Sequence, residues 1–429
     1  MARRNRSATP ADTGRPPRPK PPQGFWVIWS TVAVDQIVFS MVLPVLPFLA
    51  RKYDASPFQI TALVASYALA QFILSPFLGG LSDRVGRKPI LVVALFGSAL
   101  GSLIVGLAGA LPLLFLGRIV DGASGTALVA AQTAITDMVP PKDRARYLGL
   151  MGSAFAVGFI IGPALSGVAS LVDPRLPFFI AAGLALVNAL AAIVRLPETH
   201  PPGTHAETAT TSGRGFRSVL RGAKDVSPAA WFYICAFAAC LFAFSAVEGG
   251  TFTLLTADRF GFTSSDVAWV FVMVGVILAL VQVLLVGPAN ERFGIRGTAV
   301  LAMVLNVVGF VLTALSRNVA MLLAGSAFNA TGQGLLRPTS TAAISNAVPP
   351  QSRGAAIGVL TSAQGAMRIS GPLAAGALFQ TVGDYAPFVV GAGISTVSAV
   401  VTAGAGAKYD DDVAQQHGVP TVAPDPEAH

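Results

Sequence analysis

Apolar residues run through the chain in long blocks, separated by short segments rich in Lys, Arg, Gly and Pro. A helix needs roughly 20 mostly apolar residues to cross the hydrocarbon core of a bilayer. Twelve blocks reach that length, and each predicts a membrane-spanning helix. These predicted spans, numbered 1 to 12, are 25–50, 57–81, 90–110, 112–137, 146–172, 176–196, 229–256, 266–289, 297–316, 318–345, 354–380 and 385–406.

Composition supports this interpretation. Hydrophobic residues make up 53% of the chain and charged residues only 12%, whereas soluble domains have about 25% charged residues. Mean hydropathy is +0.65. The predicted fold class is therefore an all-α integral membrane protein.

The second half of the chain repeats the first. Residues 132–167 align without a gap with residues 341–376 at an offset of 209, so that Gly162-Pro163 falls on Gly371-Pro372. A duplicated half in so apolar a chain is typical of secondary transporters.

The blocks and the repeat divide the chain into five regions. Residues 25–196 and 229–406 are predicted to form two pseudo-symmetric six-helix bundles. Residues 197–228 are a polar linker, and residues 1–24 and 407–429 are polar tails that we expect to be disordered.

Positive charge predicts the orientation in the membrane. Of the 29 Lys and Arg residues, 21 lie in the tails, the linker and the loops on the same side, and five lie in the opposite loops. Loops rich in Lys and Arg stay in the cytoplasm, so both termini are predicted to be cytoplasmic. The net charge of +8 reflects this topology, and a nucleic-acid partner is not expected. No cleavable signal peptide is evident.

Residues that could support metal or enzyme chemistry are sparse. The four histidines lie in the linker or the C-terminal tail, and His200 and His205 are better explained as solvated residues than as metal ligands. Cys235 and Cys240 lie five residues apart on one predicted helix and face different directions, which argues against a disulfide. No nucleotide-binding loop of the type G-x4-G-K-[ST] is present. We expect no enzyme activity, metal or cofactor.

Residues 79–89, GGLSDRVGRKP, join spans 2 and 3. This loop resembles the signature of the major facilitator superfamily, and the resemblance covers essentially the whole chain between the tails. It implies that Asp83 bonds across the interface between the bundles near span 11. It also implies that Arg84 or Arg87 pairs with an acid at the cytoplasmic end of span 4, here Asp137.

A weaker copy of this loop follows span 8, where Glu291 stands for Asp83 and Arg292 and Gly294 are kept. The resemblance implies that the two loops form a conformational gate. The gate residues it implies are Gly79, Asp83, Arg84, Gly86, Arg87, Asp137, Glu291 and Arg292.

Span 5 contains Gly158, Gly162, Pro163 and Gly167. The pattern is similar to the antiporter motif of the same superfamily, with Ser166 in place of one glycine. Gly and Pro thin a helix and allow close approach of a neighbour. The resemblance implies that this neighbour is span 8, that the contact seals a leak path and that the protein exports its substrate. A generic Gly/Pro kink is the alternative.

Three charged residues inside spans predict proton coupling: Asp35, Arg118 and Asp121. Charge at the bilayer centre costs about 2.5–3.5 kcal/mol even on the mildest scale, so it indicates function by default. Arg118 and Asp121 are three residues apart and share a helix face. Arg118 matches an Arg to which the superfamily resemblance assigns proton transfer. Span 1, with Asp35 before Pro44 and Pro47, resembles that of tetracycline-type exporters. Structural pairing of these charges is the competing explanation.

Spans 1, 4, 7 and 10 line the central cavity in the family that the chain resembles. Asn329, Gln333 and Arg337 in span 10 lie at i, i+4 and i+8 and form one polar stripe. We expect these three residues, with Gln36 of span 1 and Glu248 of span 7, to contact the substrate. Arg368 in span 11 has no predicted role.

The function predicted is a proton-coupled exporter of small, largely apolar molecules that works by alternating access, such as a drug:proton antiporter. The alternatives are a proton-linked uptake symporter, a lipid flippase of the same fold and a membrane scaffold. The expected partners are a small-molecule substrate, protons and membrane lipids, and the expected state is a monomer. Abundant Ala, Gly, Val and Arg with few Lys and Asn suggests a high-GC bacterial genome. We therefore expect the protein to lie in the inner membrane of a bacterium.

Overall fold

A computed structural model describes residues 22, 24–125, 127–139, 143–196, 198, 226–349 and 352–416. This part of the chain is almost entirely helical. Its α-helices are α1 (Phe25–Val42), α2 (Leu46–Arg51), α3 (Pro57–Val85), α4 (Arg87–Leu107), α5 (Leu111–Ser124), α6 (Ala127–Met138), α7 (Arg144–Ser170), α8 (Leu176–Arg195), α9 (Pro228–Ala246), α10 (Phe252–Phe260), α11 (Ser264–Leu280), α12 (Val286–Ala314), α13 (Val319–Asn346), α14 (Arg353–Thr381) and α15 (Ala386–Gln416). Two π-helical segments, Val247–Thr251 and Val281–Leu285, join α9 to α10 and α11 to α12.

Every predicted span coincides with helix. By length and hydropathy, nine stretches of the described chain could cross a membrane. The number is below twelve for three reasons. Spans 8 and 9 fall in one stretch, Ser264–Ala314, because helix continues through a kink at Gly294. Span 4 is divided between α5 and α6, and span 11, α14, is rich in Gly, Ser and Thr.

The helices form two halves, each with its own core. In the first half, α1 packs on α7 and α8, and α4 packs on α5 and α8. In the second half, α12 packs on α13 and α15, and α9 packs on α14 and α15. The halves meet where α7 lies against α11 and α3 against α14. These pairs bring spans 5 and 8, and spans 2 and 11, together.

The two ends of the molecule differ. The far end lies opposite the end where α1 begins and carries the turns after α2 and α10. There, Arg51 and Asp258 join the halves through bonds of 2.7 and 2.9 Å. The Phe58 backbone N–H also donates to Gln380 across the interface at 3.3 Å. An apolar core shared by both halves lies beneath these contacts.

The terminal end, where α1 begins, is open between the halves. Where α7 meets α11, a Cβ on Gly275 would lie 2.5 Å from the Phe159 carbonyl oxygen, whereas a Cβ on Gly152, about two turns nearer the terminal end, would meet no heavy atom within 4 Å. Val85 and Phe293, at pseudo-equivalent positions of the two halves, are 44% and 52% exposed. The structure therefore shows the state in which the interior is reached from the terminal end.

Polar caps set where several helices begin. Ser56 and Gln59 form a capping box at the start of α3, with bonds of 2.9 and 3.3 Å. Thr263 and Asp266 do the same at α11, and Asn318 accepts from the Met321 N–H at α13. Each cap satisfies backbone N–H groups that have no helical partner and contributes about 1 kcal/mol.

One boundary differs from the prediction. Helix α15 continues to Gln416, so the predicted start of the C-terminal tail at residue 407 lies inside a helix. Residues 407–416 contain Ala, Lys and Gln, which favour helix and extend it beyond the apolar block. The rest of this tail, most of the N-terminal tail and most of the linker lie outside the described residues.

Candidate functional site

A large cavity lies between the halves and encloses about 1090 Å³ of empty space, including its opening. Helix α7 supplies its wall from the first half, and α9 to α13 supply the wall from the second. Five phenylalanines line it: Phe155, Phe159, Phe244, Phe252 and Phe271. This surface suits an apolar or aromatic molecule.

One wall of this cavity is polar. Asn329, Gln333 and Arg337 of α13 line it, together with Gln282 of the π-helical segment before α12. Asn329 and Gln333 are 8% and 2% exposed, and the Gln333 amide nitrogen lies 3.5 Å from the Asn306 amide oxygen. The cavity therefore combines an aromatic body with an amide-rich face.

Gln36 and Glu248, the other two residues predicted to contact the substrate, are not placed like the residues of α13. Gln36 is buried against Gly158 of α7 and does not line the cavity. The sequence does not show which face of α1 meets α7, and a contact between Gln36 and the substrate stays a prediction. Glu248 lies in the π-helical segment Val247–Thr251, and its side chain is outside the described residues. Such segments are frequent at functional sites.

A buried ion pair lies within the first half. The Arg118 guanidinium donates to Asp121 at 3.0 Å, and Ser98 of α4 donates to the same carboxylate at 2.8 Å. The Arg118 guanidinium also stacks over the Tyr67 ring, 4.4 Å from its centroid. Arg118 is 1% exposed and Asp121 is 6% exposed. The pair is thus enclosed by α3, α4 and α5.

Glycines allow α5 to approach its neighbours this closely. A Cβ on Gly101 of α4 would lie 2.7 Å from the Asp121 backbone nitrogen. A Cβ on Gly122 would collide with the Tyr67 backbone of α3. Small residues at such crossings are typical of helix packing in membranes.

Asp35 lies in the middle of α1 and is partly buried. Its carboxylate accepts a bond from the neighbouring Gln36 amide at 3.2 Å. Within the part of the chain that the structure describes, no Lys or Arg pairs with it. Asp35 therefore differs from Asp121, whose carboxylate already has a cation and a hydroxyl donor.

Arg368 is the functional-site residue that the sequence left without a role. It lines a second, smaller cavity of about 430 Å³ with Arg118 and Tyr67. The internal repeat of the sequence indicates where Arg368 lies. At the offset of 209, Arg368 falls on Phe159, a cavity residue of the first half, and so is expected to face the interface.

A family profile described as Major Facilitator Superfamily matches residues 28–256 and 240–420. The chain belongs to the major facilitator superfamily. It is 31% identical to the tetracycline resistance protein, class C, of Escherichia coli over 82% of this chain and 89% of that protein. It is also 31% identical to multidrug resistance protein 1 of Bacillus subtilis (strain 168) over 84% of this chain and 91% of that protein.

The fold is similar to that of solved members of the superfamily. One is a bacterial homolog of the human lysosomal transporter Spinster in an inward-facing, unoccupied conformation. The TM-score is 0.69 at 17% identity, covering 94% of this chain and 98% of that one. The protein is therefore a multi-pass membrane transporter of this superfamily and not an enzyme.

The superfamily loop between α3 and α4 turns at Gly86, where φ is +109°. Gly294, its counterpart at an offset of 208, also has a positive φ, +67°. Residues with a Cβ rarely adopt such angles, so glycine is required at both joints. The repeated loops thus share their backbone geometry as well as their sequence.

Glu198 binds the backbone at the start of α4, a contact that the sequence did not predict. The Glu198 carboxylate accepts from the backbone N–H of Arg87 at 3.0 Å and of Lys88 at 3.2 Å. An acid at a helix N-terminus is favoured by the helix dipole. Glu198 was predicted to lie in a solvated linker. It instead caps α4 from the end of the sixth span.

The other implied gate residues are placed as follows. Gly79 lies in the last turns of α3. The side chains of Asp83, Arg84 and Asp137 lie outside the described residues, so their implied pairing stays a prediction. The Arg87 guanidinium is buried, 3.4 Å from the Ser82 hydroxyl. Glu291 and Arg292 are exposed, and Arg292 lies beside the Phe293 ring.

The glycines of span 5 contact two different helices. A Cβ on Gly158 would lie 2.8 Å from the Gln36 carbonyl carbon, and one on Gly162 would lie 2.6 Å from the Ile37 oxygen. Both contacts are with α1. Gly167 alone of the three faces span 8, 3.3 Å from the Ala268 Cβ. The implied contact with span 8 is therefore incorrect for Gly158 and Gly162, because these two lie on the α1 face.

Hydroxyl groups reinforce the packing of α1 on α7. Ser166, which replaces a motif glycine, donates to the Met41 carbonyl at 2.8 Å. Ser40 of α1 donates to the Gly158 carbonyl at 2.8 Å. Pro163, inside α7, cannot donate a helical hydrogen bond. These bonds fix the helix that carries Asp35 against the helix that lines the large cavity.

Proposed function

We propose that this transporter is a proton-coupled exporter of small, largely apolar molecules. The observation that carries the proposal is Asp35, a carboxylate in the middle of a membrane helix without a cation partner in the described part of the chain. An acid in this setting is costly when charged and is a natural proton carrier. The proton gradient would be the energy source, with no cofactor.

The large cavity supports the choice of substrate. Its phenylalanine walls suit the apolar body of a small molecule, and its amide face supplies hydrogen-bonding groups. Two relatives are named for resistance to tetracycline and to multiple drugs. A small drug-like molecule is therefore the substrate class that we favour.

Asp35 and Asp121, the two acids inside spans of the first half, would have separate roles. Asp121 is held by Arg118 and Ser98, so protonating it would disrupt two existing bonds. Asp35 accepts only the Gln36 amide among described groups. Asp35 would therefore carry the proton, while Arg118 and Asp121 hold α5 in place and supply a nearby charge.

Alternating access would proceed from the state seen here. The excess of Lys and Arg on the terminal side favours a cytoplasmic terminal end, so the open cavity would load substrate from the cytoplasm or the inner leaflet. Substrate would displace the Asp35 proton, and the loaded protein would open at the far end. A proton from outside would then return the empty protein to the state seen here.

The same charge distribution supports a cytoplasmic location for both termini. We place the protein in the inner membrane of a bacterial cell, where a proton gradient is available. All the elements of the proposed cycle lie within one chain, so a monomer suffices.

Everted membrane vesicles, acidified inside and containing a fluorescent pH probe, test the proposal. Cationic, neutral and anionic antibiotics and metabolites are added one at a time. We expect proton efflux in response to some compounds and its loss in Asp35→Asn. Asp143→Asn, which removes an acid from the loop before α7, is the matched control and should behave as wild type.

Two outcomes would contradict the proposal. Proton efflux that persists in Asp35→Asn would remove Asp35 from the coupling step. A folded wild type that responds to no compound would favour uptake or lipid transport over drug export.

A further inference from the structure

Arg368 lies in the second half, yet its side chain contacts the first. Its guanidinium carbon is 5.9 Å from the centroid of the Phe39 ring on α1. Arg368 and Arg118 line the same small cavity, which Ser245 and Pro372 complete from the second half. One cation from each half therefore faces this space.

The charged residues around the small cavity differ in whether they have a partner of opposite charge. Arg118 is bonded to Asp121 at 3.0 Å, and this pair is neutral as a unit. Asp35 has only the Gln36 amide, and Arg368 has only the Phe39 ring, among the residues that the structure describes. Asp35 of the first half and Arg368 of the second thus have no ionic partner among the described side chains.

Asp35 and the ring that Arg368 approaches lie on the same helix. Asp35 and Phe39 are four residues apart on α1 and share a helix face. The ring on which Arg368 rests is therefore one helical turn from the carboxylate. Arg has a long, flexible side chain, and a swing across one turn does not require the backbone to move.

We propose that Arg368 is the counter-charge of deprotonated Asp35, carried by the opposite half of the protein. The two pair when Asp35 loses its proton. They separate when Asp35 is protonated, and Arg368 then rests over Phe39 as in the structure. The driving force is the cost of an isolated charge in an apolar interior, which a pair across the interface removes.

The other charged groups near Asp35 are few. Arg118 and Asp121 come from α5 and Tyr67 comes from α3. Helices α7 and α8, which pack on α1, have no titratable residue in their middle turns. Helix α6 also packs on α1 and carries Asp137 at its last turn, with its side chain outside the described residues. Glu248 lies in the π-helical segment that packs on α14, and its side chain is outside the described residues.

This pairing would transmit the proton's arrival to the other half. It rests on the proposed function, because it assumes that Asp35 releases and binds the coupling proton. A deprotonated Asp35 would hold α1 to α14 through Arg368, and protonation would release that link. Arg368 would be a positioning residue, since it acts on the proton carrier and not on the substrate.

A distance measurement tests the pairing without a known substrate. Spin labels are attached to Val85→Cys and Phe293→Cys in a background that carries Cys235→Ala and Cys240→Ala. The distance between the labels reports the separation of the halves at the terminal end. In wild type we expect the distance distribution to change with pH, and in Asp35→Asn we expect no such change.

Removing the Arg368 charge should move the midpoint of that change. In Arg368→Gln we expect a midpoint higher by about one pH unit or more, because the carboxylate has lost an opposite charge. Arg368→Lys keeps the charge and should stay close to wild type. Arg353→Gln, the same substitution on the same helix but away from the cavity, should match wild type. Glu248→Gln should also leave the midpoint in place.

The outcomes separate the two proposals. A wild-type midpoint in folded Arg368→Gln would overturn the role of Arg368 and leave proton coupling at Asp35 intact. A midpoint that moves in Glu248→Gln and not in Arg368→Gln would assign the role to Glu248. A wild type with no pH-dependent change and no proton-coupled transport would overturn both.

Discussion

At the scale of residues, Arg118 and Asp121 illustrate why intramembrane charges come in sets. Each is almost fully buried, and the 3.0 Å bond between them offsets part of the cost of burying both charges. Breaking such a pair leaves an uncompensated charge, whereas replacing both partners by apolar residues is often tolerated. The pair therefore constrains α5 strongly even if no proton ever reaches it.

Arg118→Leu should lower stability by about 3–5 kcal/mol, because Asp121 remains buried without its cation. The double variant Arg118→Leu/Asp121→Leu should recover most of that loss. Thermal unfolding of the purified proteins in detergent, arranged as a double-mutant cycle, measures both effects. A loss in the double variant equal to the sum of the losses in Arg118→Leu and Asp121→Leu would show that the pair has no coupling energy.

Residue-level prediction from the sequence succeeded where the signal was local and failed where it depended on packing. The spacing of Arg118 and Asp121 already places them on one face, and the structure shows them bonded. Gln36 sits beside Asp35 in the sequence, but one residue turns a helix by about 100°, and Gln36 faces α7. Glu198 looked solvated because its partners, the N–H groups that begin α4, are 110 residues away.

At the scale of elements, α7 joins the coupling region to the cavity. Gly158 and Gly162 bring it against α1, and Phe155 and Phe159 on another face line the large cavity. The sequence predicted that this helix would be thin and closely packed. It did not predict the partner of each glycine, since that depends on how far the helix rotates about its axis.

Gly162→Ala should destabilise the protein, because the added methyl group would meet the Ser40 hydroxyl and the Ile37 carbonyl. We expect a loss of about 1–3 kcal/mol, as is usual for overpacking. Gly149→Ala on the same helix faces open space and should leave the melting temperature unchanged or slightly raised. Melting temperatures that fall equally in both variants would contradict the close packing described for Gly162.

At the far end, Arg259 joins α10 to the turn before α15. Its guanidinium bonds to both carboxylate oxygens of Asp384 and donates to the Ala314 carbonyl at 2.8 Å. The hydrogen-bonded Arg259 lowers the pKa of Asp384 below its ordinary value. A lowered folded pKa gives stability that is present above the unfolded pKa and is lost as the pH falls through the folded pKa.

Asp384→Asn should therefore lower the melting temperature by the same small amount at pH 8 and at pH 5. The two proteins should converge only below about pH 4, where the wild-type carboxyl begins to protonate. Melting curves over this pH series provide the test. A difference that changes between pH 8 and pH 5 would implicate a different titrating group.

At the scale of the whole molecule, the halves close at one end and separate at the other. The pair Arg51–Asp258, in the last turns of α2 and α10, joins them at the far end, and the apolar core beneath it crosses the interface. Opening at the far end must break this pair. The pair is partly exposed, 35% and 42%, so its contribution is expected to be about 0.2–1 kcal/mol.

Asp258→Asn should raise the ratio of far-end-open to terminal-end-open protein, by at most about fivefold for a pair of this exposure. The charge reversal Arg51→Asp/Asp258→Arg should restore the wild-type ratio. Spin labels at Lys52→Cys and Arg317→Cys, in the background without native cysteines, would report the populations. A ratio that stays shifted in the reversed pair would show that the effect is not due to the ion pair.

The sequence predicted the helical membrane fold of the superfamily because the bilayer requires each span to be long and apolar, and the internal repeat indicates two related halves. It did not predict which end would be open, since both states use the same helices. It also left Arg368 without a role, because a cation without a nearby acid in sequence gives no sign of its partner across the interface.

The central claim is that protonation of Asp35 couples the proton gradient to export. Its most direct test uses reconstituted protein and a compound that triggers proton efflux in vesicles, comparing wild type with Asp35→Asn in two assays. One assay follows uphill transport driven by an imposed pH gradient, and the other follows exchange of labelled compound at equal pH. We predict that Asp35→Asn loses uphill transport and keeps exchange. Uphill transport at the wild-type rate in Asp35→Asn would contradict the claim.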